Sequence, residues 1–132
     1  MIPLVLRSDA VALSGFGGLL LLAPWDELYG RLGVPRGEPE LWTQAAGLLL
    51  VSLAYLLWIA PRDARLTQGV AFAAAIANLG GAALIFAWLL SGIDTNGQGT
   101  FLLVLLALVA GGYGAVEAWI ASRSVAVLAP GD

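Results

Sequence analysis

Apolar residues come in four long blocks, at about 3–23, 41–60, 66–90 and 100–122, separated by short polar or Gly/Pro-rich stretches. A hydrocarbon core about 30 Å thick takes about 20 helical residues to cross, so each block is long enough for one transmembrane helix. The pattern predicts an all-α integral membrane protein: a single domain over 1–132 folded as a four-transmembrane-helix bundle.

The first block is interrupted by Arg7, Ser8 and Asp9. Either a helix starts at a Ser8 or Asp9 cap and falls short of the bilayer, or one helix runs over 3–23 with Arg7 snorkelling to the interface. The second reading is preferred. No cleavage motif follows the block, so it is not read as a removable signal peptide. In the stretch 24–40, Trp25, Leu28, Tyr29 and Leu32 share one side at helical spacing, away from Asp26, Glu27 and Arg31. This predicts a short amphipathic segment over about 25–33, resting on the membrane or docked on a neighbour. Alternating Gly and Pro then make a turn-rich connector.

Four spans place Arg7, Arg62, Arg65 and Arg123 on one side, and Arg31 and Arg36 on the other with Asp26, Glu27, Glu38, Glu40 and Asp94. The excess of arginine puts both termini in the cytoplasm. Trp25, Trp42 and Trp88 then fall at outer span ends and Trp58 and Trp119 at inner ends, as interface anchors do. WIAPR at 58–62 echoes WIASR at 119–123, and Gly17–Gly18 echoes Gly80–Gly81. The chain therefore reads as two repeated helical hairpins, or as convergence on similar span ends.

Membrane helices associate by close approach at small residues, since lipid is as apolar as leucine. Candidate packing positions are Ser14 and Gly18 in the first span, Ala73, Ala77, Gly80 and Gly81 in the third, and Ala107, Gly111, Gly114, Ala118 and Ser122 in the fourth. These faces either hold the bundle together or dock another subunit.

Composition removes most chemistry. The chain is 60% hydrophobic and 11% charged, has net charge −3, and contains no His and no Cys; all six bases are arginine. That excludes a soluble domain and a nucleic-acid binder. It also excludes imidazole-ligated haem or metal, thiolate chemistry, a lysine Schiff base and a catalytic triad. Any cofactor is held by packing and hydrogen bonds, as a quinone, carotenoid or lipid would be. Candidate ligand-binding residues are the polar groups inside the spans, Gln44, Tyr55, Asn78, Tyr113 and Glu117. On helical wheels they are placed to line a small cavity, with Tyr113 one turn before Glu117 on the same face. Glu117 also has a plainer reading, as a carboxylate near the cytoplasmic interface, solvated or paired with an arginine such as Arg62. Asn78 likewise reads as an interhelical hydrogen bond.

The Gly-rich LSGFGGLLLLAP, followed by WDELYGRLGVP and a second span, resembles the DoxX-like group of small four-helix membrane proteins over roughly the first half of the chain. The resemblance implies association with a membrane oxidoreductase system, in places quinone-linked, and carries over no catalytic residue. Small multidrug transporters are of similar size but carry a Glu in the middle of the first helix, where this chain has Ser14, Gly15 and Phe16. That departure argues against proton-coupled drug export. Three functions stay open. The leading one is a non-catalytic accessory subunit of a bacterial inner-membrane complex, in respiratory or photosynthetic electron transfer, with lipids and other membrane subunits as partners. The others are a DoxX-like quinone-linked component and a small transporter or lipid-binding protein.

Overall fold

The structure is a computed structural model. It describes residues 1–22, 26–33, 40–92 and 95–128, and the side chains of all of these but 26, 40, 42 and 124–128. Helices α1 (Ile2–Leu21), α2 (Asp26–Leu32), α3 (Glu40–Ile59), α4 (Ala64–Leu90) and α5 (Gly97–Leu128) follow in order, with a 3-10 turn at Ala60–Arg62 and no strand among the described residues. Four of them, α1, α3, α4 and α5, are long and apolar enough to cross a membrane. The protein is an all-α, four-helix integral membrane bundle.

Helix ends follow local chemistry. Pro3 stands in the first turn of α1, where its missing N–H costs nothing. The helix then runs unbroken through Arg7, Ser8 and Asp9, so it is not capped at either Ser8 or Asp9. Asp63 caps α4 instead: its Oδ1 accepts from Arg65 N at 2.8 Å and Leu66 N at 3.1 Å. The chain between α3 and α4 turns tightly, with Thr67 Oγ1 donating to Ala60 O at 2.7 Å. The short α2 has the expected sidedness. Leu28, Tyr29 and Leu32 are half-buried, while Glu27 and Arg31 are exposed and 3.9 Å apart. Tyr29 Oη donates to Leu19 O at 3.4 Å, which ties α2 back to α1. Trp25, the connector 34–39 and the Trp42 side chain lie outside the described residues.

The bundle is two antiparallel hairpins, α1 with α3 and α4 with α5. In the first, Gly17 and Gly47 meet backbone to backbone: a Cβ on Gly47 would stand 2.6 Å from Gly17 O, and one on Gly17 would stand 2.8 Å from Gly47 O. In the second, Gly114 lies against Leu79, where a Cβ would be 2.7 Å from Leu79 Cγ and 3.0 Å from its backbone nitrogen. Several expected packing positions are displaced from these seams. Gly18 and Gly81 have open space where a Cβ would go, Ser14 and Ala73 are exposed, and Ala77 and Ala118 are only half-buried. Gly111 is in ordinary contact distance of Ala82. The packing faces run instead through Gly17 in α1 and through Ala71, Ala74, Ala75, Asn78 and Ala82 in α4. One residue is a rotation of about 100°, so a neighbouring small residue looks away from the partner.

The two hairpins meet at one end. Leu6, Ala10 and Leu13 of α1, Ala54 and Leu57 of α3, Val70, Ala71 and Ala74 of α4, and Ile120 and Ala121 of α5 form a single buried cluster with Ala60. This is the end that holds the N-terminus of α1, the 60–63 turn and the arginine-bearing end of α5. Arg7 lies over the Trp58 ring at 5.5 Å and Arg123 over Trp119 at 4.5 Å, an arginine–tryptophan layer suited to an interface. Trp88 is at the opposite end, 55% exposed.

Candidate functional site

Three polar side chains are buried where the hairpins join. Asp9 is 1% exposed, Asn78 4% and Glu117 0%. Asn78 Nδ2 donates to Asp9 Oδ2 at 3.0 Å and to Glu117 Oε2 at 2.9 Å. One primary amide thus spends both protons on two carboxyl groups. Because one amide nitrogen reaches an oxygen of each, the two carboxyl groups are close neighbours. Glu117 Oε1 is buried and has no hydrogen-bond partner among the described residues.

Each residue reaches the cluster by helical spacing. In α1 the buried positions Leu6, Asp9, Ala10, Leu13 and Gly17 lie on one stripe, so a continuous helix aims Asp9 inward. In α5 the buried face passes through Ala107, Gly114, Glu117 and Ala121. Asn78 lies 14 residues along α4, which has 27. At about 1.5 Å per residue that is about 21 Å in, close to the midpoint. Glu117 is buried inside the bundle, and its partner is Asn78 rather than Arg62, which is exposed.

Two negative charges at this separation, away from water, are prohibitively costly. A proton on one carboxyl resolves the geometry. It removes one charge, and an acid can then donate to the neighbouring carboxylate. The unpartnered Oε1 is where such a proton fits. Such a cluster is able to hold a proton, and it spans the seam, with Asp9 in one hairpin and Asn78 and Glu117 in the other.

The other candidates are elsewhere. Tyr55 is 65% exposed on the outside of α3, so it does not line a cavity with Asn78. Gln44 is half-buried near the start of α3 and is not a partner of the three. Tyr113 is half-buried one turn before Glu117, with no hydrogen bond between them among the described residues. The polar-spotted cavity read from the wheels thus reduces to Asn78 and Glu117, and gains Asp9. The signal for Asp9 was its spacing from Leu6, Ala10 and Leu13, hidden by polar neighbours that made it look like a helix start.

No family model, curated protein or solved structure matches the chain.

Proposed function

We propose that this protein is a small proton-coupled membrane carrier whose proton-binding centre is Asp9–Asn78–Glu117. The observation that carries it is the burial of two acids at the junction of two helical hairpins. Ionisable groups inside a membrane are costly and rare, and they mark ion and proton pathways. A site shared between two halves is also where a rocking motion of one half against the other changes access. With one proton present, acid, carboxylate and amide hold the hairpins together. With none, two negative charges face each other across the seam and favour its opening. The sequence argument against proton coupling sought an acid at the middle of the first helix; the buried acid is Asp9, five residues before Ser14. We place the carrier in a bacterial inner membrane with both termini cytoplasmic, from the arginine excess at the joined end.

The test is infrared difference spectroscopy of the purified protein at neutral pH, with a screen of small solutes. The expected result is a protonated-carboxyl band absent from Glu117→Gln and shifted in Asp9→Asn, and a solute that changes it in wild type alone. A spectrum without that band at neutral pH sinks the proposal.

A second reading, an accessory subunit of a larger electron-transfer complex, draws on the open space beside Gly80, Gly81 and Gly112, against which a neighbouring helix would fit. Purification from native membranes tests it. Redox subunits at fixed stoichiometry favour it, and a particle without partners counts against it.

A further inference from the structure

The lipid-facing side of the α1–α3 hairpin carries a groove away from the acid cluster. Two cavities of about 510 and 360 Å³ lie end to end there and share Val11 and Trp58. The first is lined by Leu4, Arg7 and Ser8 and the second by Ser14 and Tyr55, besides those two. Along α1 the groove runs from Leu4 to Ser14, about 15 Å at 1.5 Å per residue. That is half of a hydrocarbon core of about 30 Å, the depth of one leaflet. Its charged end is Arg7, exposed, held over the Trp58 ring at 5.5 Å and paired with no carboxylate among the described residues. The rest of its wall is apolar apart from Ser8, Ser14, Tyr55 and the Trp58 indole.

We infer that this groove is a binding site for one anionic phospholipid of the leaflet at the Arg7 end. The phosphate pairs with the Arg7 guanidinium at the membrane surface, where arginine geometry suits it. One acyl chain lies over Val11 between Trp58 and Ser14. The site is independent of the proton-binding reading, since none of its polar residues belongs to the cluster.

A natural control comes with the fold. Arg123 stacks on Trp119 at 4.5 Å in the same kind of arginine–tryptophan pair, but neither residue lines either cavity. The experiment incubates the purified full chain in mild detergent with equal phosphatidylglycerol and phosphatidylcholine, and counts retained lipids by native mass spectrometry. Wild type is expected to retain phosphatidylglycerol in preference. Arg7→Gln is expected to lower its retention about fivefold, the effect of one surface arginine on an anionic lipid, while Arg123→Gln leaves it unchanged. Val11→Trp fills the groove at a residue 64% exposed, where bulk does not disturb the core, and is expected to lower retention of both lipids. Equal losses from Arg7→Gln and Arg123→Gln would overturn the inference, because the groove would then add nothing to a surface charge. Unchanged retention in Val11→Trp would overturn it too.

Discussion

The seams inside the hairpins and the seam between them are built differently. Inside the first hairpin, contact is backbone on backbone at Gly17 and Gly47, with no room for a methyl group. Between hairpins, contact is made by side chains: an aliphatic cluster at one end, and at its edge the Asp9–Asn78–Glu117 trio. The first kind of seam has one arrangement, since nothing in it can rotate or change charge. The second contains two carboxyl groups on one amide, so under the proposed function its strength depends on whether a proton is present. The proposed carrier thus has its adjustable contact at the seam between two rigid hairpins.

The sharpest way to break this comparison is Asn78→Leu. It removes both amide donors and leaves two buried carboxyl groups facing a leucine. Interhelical hydrogen bonds in membranes are individually modest, but stranding buried partners costs about 1–3 kcal/mol each. A loss of about 3 kcal/mol is expected in denaturation of the detergent-solubilised protein. Replacing Asp9, Asn78 and Glu117 together by Leu is expected to recover most of it, because an apolar trio strands nothing. An Asn78→Leu protein within about 0.5 kcal/mol of wild type would mean that the trio does not hold the seam.

Next in size is Gly47→Ala, which tests the rigid kind of seam. Its Cβ would lie 2.6 Å from Gly17 O and 3.0 Å from both Leu20 Cβ and Leu21 N, so backbone must move. Overpacking of this kind costs about 1–3 kcal/mol, and about 2 is expected. Gly114→Ala should cost less, because its nearest obstacle is Leu79 Cγ at 2.7 Å, in a side chain 43% exposed and able to shift, with backbone met only at Leu79 N at 3.0 Å. Thermal denaturation of the two variants in one detergent ranks them. The reverse order would place the rigid seam in the second hairpin.

The spans were legible because a run of about 20 apolar residues has one interpretation in this composition. The tryptophans and arginines at their ends agree with it for the same topological reason. The faces were less legible. In a soluble helix the inward side is marked by contrast with a polar outside; here the outside is apolar too, with Leu48, Leu49, Phe72 and Ile76 all exposed. Small residues then carry the only signal, and they recur on several faces. Gly15, Gly17 and Gly18 are near neighbours in sequence, yet only Gly17 meets a partner. Which of them does so is decided by Gly47, thirty residues away. The site was half legible. Asn78 and Glu117 stood out as polar residues inside spans, whereas Asp9 was masked by Arg7 and Ser8 beside it and by its closeness to the start of the helix.

The smallest effect is the most discriminating between glycines that look alike. The Gly17–Gly18 and Gly80–Gly81 pairs occupy matching places in the two halves of the sequence, so a faithful structural repeat would give them matching roles. The structure does not: a Cβ on Gly17 meets Gly47 O at 2.8 Å, while one on Gly18, Gly80 or Gly81 meets nothing within 4 Å. Gly81→Ala and Gly18→Ala should therefore stay within about 0.5 kcal/mol of wild type, with any change toward stabilisation, because alanine is the better helix former. Measured in the same denaturation series, a loss of the size seen for Gly47→Ala would show that these open faces are covered by another chain under the conditions used. In that event the accessory-subunit reading gains over the proton-coupled carrier.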